Sequence, residues 1–549
     1  MQRFPIWSLA MALTLAAAVL VSCGGGGGGG YTPAAGGTVA EPIPAEIQKI
    51  FDKPVYKDAT WALRVIDIES GAVLHDLNPA RPMLIASVRK LFSTSLALEA
   101  LGPEQTLRTP VHRRGTVDAG GLLTGDLIVV ASGDLTMGGR TNPDGSLAIS
   151  NQDHSEANGL GNATLTAPDP LAGFNGLATQ VAASGIRQVT GDVIIDDRLF
   201  DAFDFRGDFM ATPMLVNDDL VDAIINDDGA AATLDYRPKS VAFTVNSKLK
   251  LGAAGSDFDI DVLPEIPTCF GAADCAGTIE GNLPSGFVPP LTGKYPLIRT
   301  FRISQPSNYA RSVFIEALGR AGVTVSASVV AQNPVTALPD KSTYVASTMV
   351  AELVSYPYKE QVKYINKVSY NLGADTSLML LGVAKGTTSM TGALAAEQHL
   401  LTSQFNLPAS SMHFIDGSGG GETTATPTTV TSLLEQLSKR PVYKPFRDAQ
   451  PLLGIDGSLS FVTDFSADPT LAGARGQVSG KTGTYVGLDA QGRPAFKSQA
   501  LAGYITTKTG RTLAFGLFAN NIGAFTGIDQ VLPVFQDEGT ISAVLWKLH

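Results

Sequence analysis

Hydrophobic and polar residues are arranged in two different ways near the start of the folded part of the chain. TWALRVIDIESGAVLHDL contains two short runs rich in apolar residues, one on each side of Ser70-Gly71. This pattern predicts two antiparallel strands joined by a turn. In ASVRKLFSTSLALEALG, three- and four-residue spacings separate Leu91, Thr94, Leu98 and Leu101, and Gly102 supplies a stop. That second pattern predicts a helix.

The middle of the chain changes character from about Arg113 onward. Short β-prone runs alternate with turn residues, and the Pro/Gly-rich stretch 255–295 predicts a surface loop. NYARSVFIEALGRAG predicts a helix that ends at Gly322, followed by a β-prone run through Val330. These features together predict a β-rich region.

The last part of the chain returns to longer elements. Helical segments are predicted around 350–360 and over 371–384, followed by a β-meander over 478–520 and a terminal helix at 539–548. We therefore predict an α/β domain in two halves, 45–112 and 341–549, separated by a β-rich insert at 113–340.

Composition limits the class of protein. The 549 residues exceed one ordinary domain, and 44% hydrophobic with 17% charged residues describes a globular chain with a sizeable core. The net charge of −11 argues against a nucleic-acid partner, because no basic face is available to neutralise phosphates.

The first 44 residues predict export and anchoring. Arg3 precedes an apolar run from Ile6 to Val21, which is typical of a signal peptide spanning 1–22. The LVSC sequence resembles the bacterial lipobox, in which a cysteine, here Cys23, receives lipid. The Gly-rich segment 23–44 cannot bury enough apolar surface to fold and predicts a tether. We expect a periplasmic, membrane-anchored domain; the alternative is a plain secretory signal with an incidental cysteine.

Two further cysteines and six scattered histidines bear on bonding and metals. In an exported protein, Cys269 and Cys275 are expected to form a small disulfide. We predict no metal site, because these cysteines have no nearby histidine and the histidines occur singly, without metalloenzyme spacing.

The first candidate for chemistry is Ser87-Val88-Arg89-Lys90. Residues at i and i+3 of a helix share one face, so the Ser87 hydroxyl and the Lys90 amine can meet. A desolvated lysine can act as the base that activates a serine nucleophile. Ser247 and Lys250 have the same spacing, but they lie in an alternating strand pattern that points them to opposite faces.

The second candidate is Ser369-Tyr370-Asn371, which lies between two predicted helices. A hydroxyl and an amide presented there could relay a proton and orient a substrate. The alternative is a simple helix cap, a position at which serine and asparagine are favoured.

The third candidate is Lys481-Thr482-Gly483-Thr484 on a predicted edge strand. Lysine and threonine can hold a substrate carboxylate, while glycine leaves space for an extended peptide to pair with the backbone. A second Lys-Thr-Gly occurs at 508–510 between two predicted strands, and we interpret it as a tight hairpin turn.

The order of these three motifs is typical of penicilloyl serine transferases, which include penicillin-binding proteins and serine β-lactamases. LNPARPMLIASVRKLFSTSLALEALG, INKVSYNLGADTSLMLLG and GKTGTYVG resemble segments of the class C low-molecular-mass penicillin-binding proteins. The long separation of Lys90 from Ser369 is also typical of that group. The resemblance, from about Val55 onward, implies a transpeptidase-like domain of antiparallel sheet flanked by helices.

The resemblance implies a role for each motif. Ser87 would form the acyl-enzyme and Lys90 would be its general base, while Ser369 and Asn371 would handle proton relay and amide orientation. Lys481 would bind the terminal carboxylate of the substrate.

The remaining residues of the third motif would complete the site. Thr482 would share the carboxylate with the lysine, and Gly483 would leave room for the substrate. The backbone N–H groups of Ser87 and Thr484 would form the oxyanion hole. The segment GSGGGETTATP is more glycine-rich than the usual version, and we expect it to lie near the site without touching the catalytic atoms.

The implied activity is that of a serine D-alanyl-D-alanine carboxypeptidase or endopeptidase without a cofactor. Its partners would be peptidoglycan stem peptides ending in D-Ala-D-Ala, with β-lactams as inhibitors. Two alternatives stay open: a β-lactamase or esterase with the same chemistry, and an inactive lipid-anchored wall-binding protein.

Overall fold

The computed structural model describes residues 40–549. The expected signal peptide at 1–22, Cys23 and most of the expected tether lie outside the described residues. Among residues 40–549, every helix falls short of the length and apolar character that a membrane crossing needs.

Helices are distributed over both halves of the chain. They are α1 (Ala45–Phe51), α2 (Lys90–Leu101), α3 (Ala157–Leu160), α4 (Ala172–Ala183), α5 (Pro306–Arg320), α6 (Tyr358–Val368), α7 (Asn371–Ala384), α8 (Met390–Ser403), α9 (Pro427–Leu437), α10 (Tyr443–Asp448) and α11 (Leu532–Leu548).

Strands are mostly short in the middle of the chain and long near its end. They are β1 (Thr60–Asp67), β2 (Val73–Leu77), β3 (Met83–Leu84), β4 (Thr106–Val117), β5 (Leu122–Val130), β6 (Gln188–Val189), β7 (Val193–Asp196), β8 (Phe203–Phe205), β9 (Phe209–Ala211), β10 (Leu220–Asp227), β11 (Ala232–Arg237), β12 (Thr244–Gly252), β13 (Asp259–Leu263), β14 (Ala276–Pro284), β15 (Leu297–Arg302), β16 (Thr324–Val325), β17 (Met349–Pro357), β18 (Met412–His413), β19 (Thr424–Ala425), β20 (Val478–Leu488), β21 (Pro494–Thr506) and β22 (Thr512–Ala524).

A five-stranded antiparallel sheet in the order β2-β1-β22-β21-β20 organises the domain that carries the motifs. Neighbouring residues of each strand face opposite sides. Ala502 and Phe518 pack against helices α2, α7 and α9, whereas Leu501 and Leu517 pack against α1 and α11. The sheet is therefore covered on both faces, and β20 and β2 are its edges.

Apart from the two-stranded sheet β8-β9, the insert has three sheets and a core of its own. One sheet has the order β16-β6-β5-β4-β17, with β7 also paired to β5, and the two others are β11-β10-β15 and β12-β14-β13. Their apolar faces form one separate cluster with α4 and α5. Cys269 and Cys275 are joined in a disulfide beside this core. The domain boundaries at 112 and 340 stay predictions.

Most of the predicted elements are present. The β1–β2 hairpin, the helix that ends at Gly102, the helix over 371–384 and the final meander all occur as predicted. The predicted α/β architecture, an antiparallel sheet flanked by helices, is likewise present.

Two of the predicted elements are wrong. The stretch 255–295 is more than a surface loop, because it contains β13 and β14, whose pairing overrides the turn-forming composition between them. The stretch 350–360 is mainly strand β17, which pairs with β4, and its helix begins only at Tyr358 after Pro357. In both stretches, pairing with a strand from elsewhere in the chain determined the secondary structure, and local sequence preference predicted it wrongly.

Two boundaries also differ from the predictions. The β-prone run after Gly322 supplies only the two-residue strand β16. The terminal helix α11 begins at Leu532, well before the predicted start, because Val534 and Ile541 pack under the sheet.

Candidate active site

Ser87 lies in a 3₁₀ turn, Ala86–Arg89, that leads directly into α2. The predicted helix therefore begins later than expected, at Lys90. Side chains at i and i+3 of a 3₁₀ turn eclipse one another, so this turn brings the serine and the lysine together. The Lys90 Nζ lies 2.7 Å from the Ser87 Oγ.

Lys90 is fully buried and has three polar neighbours around its amine. Besides Ser87 Oγ, these are Asn371 Oδ1 at 2.6 Å and the Ser418 carbonyl oxygen at 2.9 Å. The two carbonyl oxygens can only accept hydrogen bonds. A neutral amine can therefore donate to both and direct its lone pair at the Ser87 hydroxyl, which is the arrangement that a general base requires.

The surroundings of Lys90 favour the neutral amine. Burial, then the charges of Lys481 and Arg206, hold the pKa of Lys90 well below its usual range. Desolvation and nearby cations both disfavour an ammonium ion. The amine is thus able to take a proton at neutral pH.

Ser369 and Asn371 lie at the junction of two helices. Helix α6 ends at Val368, α7 begins at Asn371, and Ser369 adopts a left-handed conformation with φ of 63° between them. Its hydroxyl oxygen lies 2.9 Å from Lys481 Nζ. Ser369 does not act as a side-chain cap for α7, because the helix has no such cap. The junction presents both side chains to the two lysines of the site.

Lys481 is fully buried in the edge strand β20. It stands opposite Ala502, so its side chain faces α2 and α7. Its amine contacts Ser369 Oγ and the Thr482 carbonyl oxygen, each at 2.9 Å. Burial lowers the pKa of Lys481 to about 7. Within residues 40–549, no carboxylate forms an ion pair with it, so a buried cationic site is left for an anionic ligand.

The outer edge of β20 is hydrogen-bonded to the described chain in its first part and open in its second part. Residues 451–453 bond to its first part, through Leu453 N to Val478 O and Gly480 N to Pro451 O, each at 3.0 Å. Beyond Gly480, no backbone group of the described chain pairs with this edge. An extended peptide could add to it by strand pairing.

Gly483 is held against the turn that carries Ser87. A Cβ at this position would lie 2.5 Å from the Ile85 carbonyl oxygen and 3.0 Å from Ser87 N. Only glycine allows this approach, which brings the backbone of Thr484 toward that of Ser87 as an oxyanion hole requires. Thr484 itself is exposed, with its hydroxyl bonded to Gln499 Oε1 at 2.8 Å.

Thr482 is 4% exposed, and its hydroxyl lies 2.7 Å from that of Ser458. This pair places two hydroxyl groups beside the Lys481 segment. The role of Thr482 in carboxylate binding stays a prediction.

The two look-alike motifs lie elsewhere. Ser247 and Lys250 are exposed on strand β12 of the insert, as the alternating pattern predicted. Lys508-Thr509-Gly510 forms the turn between β21 and β22, with φ of 88° at Gly510. Neither motif takes part in the site.

The glycine-rich segment touches the catalytic atoms, contrary to the prediction. The Ser418 carbonyl accepts a hydrogen bond from Lys90, and Gly419 packs so closely on Ala86 that a Cβ would lie 2.0 Å from its carbonyl oxygen. The Asp416 carboxylate accepts the backbone N–H groups of Gly419 and Gly420 at 2.7 and 2.8 Å. Extra glycines therefore let this loop close over the nucleophile.

The insert supplies residues that the motifs did not reveal. Glu156 accepts a hydrogen bond of 2.7 Å from Asn371 Nδ2, which orients the amide whose oxygen faces Lys90. Arg206 donates to Ser418 Oγ at 2.8 Å. These partners are more than 200 residues apart in the sequence, with separations of 215 and 212, so no local pattern could have indicated them.

Close to Lys90, a buried carboxyl group has an unusual pKa. Burial and the charge of Asp416 raise the pKa of Asp375 to about 7. Asp375 accepts the backbone N–H of Gly417 at 2.8 Å and lies 3.3 Å from Ser418 Oγ. It fixes the loop that contacts the base.

Comparison with known proteins gives a consistent result. The model of the D-Ala-D-Ala carboxypeptidase 3 (S13) family matches residues 43–534. A D-alanyl-D-alanine carboxypeptidase of Actinomadura sp. (strain R39) is 25% identical over 528 residues, which cover 89% of this chain and 82% of that protein. The carboxypeptidase DacB of Haemophilus influenzae is 23% identical and is covered over 90% of its length.

A solved structure shows the same fold. Penicillin-binding protein 4 of Haemophilus influenzae superposes with a TM-score of 0.64 at 19% identity, covering 91% of this chain and 99% of that one. A second structure of that protein contains a β-lactam and also gives a TM-score of 0.64.

Proposed function

Because this chain belongs to the D-Ala-D-Ala carboxypeptidase 3 (S13) family of peptidoglycan peptidases, we propose that Ser87 is its nucleophile and forms an acyl-enzyme with stem peptides. The family membership confirms the low-molecular-mass penicillin-binding protein predicted from the three motifs. It also makes the chain a serine D,D-carboxypeptidase.

The buried amine of Lys481 is the observation that best supports this function. Lys481 is fully buried, has no carboxylate partner within residues 40–549, and lies beside the open part of the β20 edge. A peptide paired there would place a terminal carboxylate near this amine. Its negative charge would compensate the cost of burying the lysine charge. A free C-terminal D-Ala meets this requirement.

Acylation follows from the contacts of Lys90. Its lone pair takes the proton of the Ser87 hydroxyl while the Ser87 oxygen attacks the carbonyl carbon of the penultimate D-Ala. The backbone N–H groups of Ser87 and Thr484 stabilise the oxyanion. The C–N bond then breaks, and the departing amine takes the proton that Lys90 removed from Ser87, with the Ser369 hydroxyl as the relay. Lys90 is therefore neutral again before deacylation.

Deacylation needs only water and the same base. Lys90 removes a proton from water, the resulting hydroxide attacks the ester carbonyl, and Ser87 recovers its proton as the ester C–O bond breaks.

The group released during acylation distinguishes the two activities: free D-Ala for a carboxypeptidase, and a cross-linked stem peptide for an endopeptidase. Penicillin would acylate Ser87 in the same way and remain bound as an ester.

The decisive experiment is labelling with a fluorescent penicillin, followed by incubation of the protein with a D-Ala-D-Ala pentapeptide. We expect stable labelling and release of D-Ala, both abolished by Ser87→Ala. The matched control is Ser247→Ala, which removes the exposed serine of the look-alike pair. Rapid turnover of the penicillin would indicate a β-lactamase, and an unlabelled wild-type protein would refute the acyl-enzyme.

The location of the protein is a separate part of the proposal, supported by the first 44 residues of the sequence. We propose export to the periplasm and lipid attachment at Cys23. In cells fed a radiolabelled fatty acid, the wild-type chain should become labelled and sediment with membranes. Cys23→Ala should remove both properties, and labelling of that variant would contradict the assignment.

A further inference from the structure

Three side chains from distant parts of the sequence meet at strand β2, the edge of the central sheet opposite β20. Glu41, His75 and His549 each offer one ligand atom, and these atoms lie within 4.8 Å of one another. We propose that they form a binding site for a divalent transition metal, with Zn²⁺ as the expected ion. Two imidazoles and one carboxylate are a common ligand set for Zn²⁺. This proposal departs from the prediction of no metal site, which followed from the wide separation of these residues in the chain.

The hydrogen bonding of His75 prepares its ring for a metal. His75 is 1% exposed, and its Nδ1 lies 3.2 Å from the Glu41 carbonyl oxygen. A carbonyl oxygen only accepts, so Nδ1 carries the proton of the neutral ring. The lone pair of Nε2 is then free. Metal-bound histidines usually donate their other ring N–H to such an acceptor.

That lone pair points at a second imidazole. The Nε2 atoms of His75 and His549 are 3.0 Å apart. Two imidazoles that face each other through Nε2 can share one proton or bind one cation with both lone pairs.

The charges around the pair favour a cation. Glu41 is exposed and brings a carboxylate, while the nearby Arg511 and Asp67 neutralise each other in an ion pair of 2.6 Å. The net charge next to the two imidazoles is therefore negative. A fourth position would be left for water, since three protein ligands do not complete a tetrahedral shell.

The metal would tie together three separate segments. Glu41 N–H bonds to the Leu74 carbonyl at 2.8 Å, His75 lies in β2, and His549 follows the end of α11. One ion would fix the point at which the expected tether enters the folded domain. Its effect would be on stability, because the active site lies at the other edge of the sheet.

A second His/Asp group in the insert serves as an internal contrast. Asp153, His154 and Asp218 are equally close and fully enclosed. The guanidinium group of Arg140 pairs with both carboxylates, at 2.8 Å to Asp153. A cation already occupies that position, so we expect no metal there.

The test is calorimetric titration of the metal-free full chain with Zn²⁺ at pH 7.5. We expect one ion per chain and a rise in melting temperature. His549→Ala, at the edge of the structure, should weaken binding roughly 100-fold, as loss of a ligand does. His75→Ala should do the same, although its burial makes His549→Ala the safer variant. The matched control replaces the exposed His399 and His413 together and should leave binding unchanged.

A spectroscopic measurement makes the result specific. Co²⁺ in place of Zn²⁺ should give the intense visible absorption of a tetrahedral site in the wild type, and none in His549→Ala. Equal Zn²⁺ affinity in His549→Ala, or no binding at millimolar Zn²⁺, would overturn the proposal. Penicillin labelling should be the same with and without metal, so failure of this site would leave the proposed peptidase function intact.

Discussion

The two Lys-Thr-Gly segments consist of the same three residues but differ in burial and in backbone conformation. Lys481 is fully buried on an edge strand that continues extended past it, whereas Lys508 is exposed in a hairpin turn. Gly483 packs on the backbone of the nucleophile, but a Cβ on Gly510 would meet open space. Thr482 bonds to Ser458, and Thr509 donates to the carbonyl oxygen of His549. The same tripeptide therefore differs in reactivity according to its position in the sheet.

The second segment has a structural role of its own. Lys508 N donates to the Trp546 carbonyl at 3.0 Å, and Thr509 holds the end of the same helix. The turn thus fixes the terminus of α11 on the sheet. At each of the three positions, the same substitution can be made in both segments. Each pair of variants then tests whether the two segments differ in function.

The lysines should show the largest difference. We expect Lys481→Ala to slow acylation by penicillin about 1000-fold, because loss of a buried charge leaves the substrate carboxylate unpaired. Lys508→Ala should change the rate by less than about twofold, since exposed charges contribute little. Stopped-flow labelling with fluorescent penicillin measures both rates. A large loss in Lys508→Ala with a normal Lys481→Ala would reverse the assignment of the two segments.

Substitution of Gly483 should affect catalysis, whereas substitution of Gly510 should affect only stability. Gly483→Ala would push a methyl group into the Ile85 carbonyl and displace Ser87 N, and we expect acylation to fall about 100-fold. Gly510→Ala should leave acylation unchanged and lower the free energy of unfolding by about 1 kcal/mol, because φ is 88° there. Acylation kinetics and urea unfolding of the same two proteins provide the check. Normal acylation by Gly483→Ala would show that the close approach to Ser87 is unimportant.

The kcat/KM of the enzyme should depend on the charge of Lys481 between pH 7 and pH 8. Its pKa of about 7 lies below the ordinary value of 10.5, so its charge is lost as the pH rises through 7. The pKa of Lys90 is also held well below its ordinary value by burial, and a rising pH only favours its neutral, basic form. The kcat/KM for a D-Ala-D-Ala peptide should fall roughly fivefold from pH 7 to pH 8.

A matched variant tests the origin of that fall. Lys508→Ala should show the same decline as the wild type. A profile that stays flat to about pH 9 would mean that the carboxylate is not bound by a charged Lys481.

The threonines should give the smallest effects. Thr482→Val removes a hydroxyl beside the carboxylate site, and we expect KM for the peptide to rise about threefold with little change in kcat. Thr509→Val should lower the free energy of unfolding by about 1 kcal/mol and leave KM unchanged. Steady-state kinetics and thermal unfolding distinguish the two. Equal effects of both variants on KM would show that the two threonines are not functionally distinct.

Much of the site could be predicted from the sequence because its motifs are local. Ser87 and Lys90 are separated by one turn, Ser369 and Asn371 by one residue, and Lys481 to Thr484 form a single strand. Backbone periodicity fixes how residues so close in sequence present their side chains.

Contacts between distant segments could not be predicted. Glu156 and Arg206 reach the site from the insert, and the Ser418 carbonyl reaches Lys90 through a glycine-rich loop that the sequence placed outside the chemistry. Local propensity predicts helix where the structure has strand β17, because the strand's partner β4 is more than 200 residues away. Pairing at that distance depends on the packing of whole domains.

By itself, the sequence determined the residue types, the three motifs and most of the helices and strands, since these depend on local spacing and propensity. Only the tertiary structure decided which groups surround the amine of Lys481, which residues of the insert orient Asn371 and Ser418, and that His75 meets His549. The physical reason is that burial and charge environment are properties of the packed chain, and the same side chain becomes a buried cation or a solvated surface group according to where the fold places it.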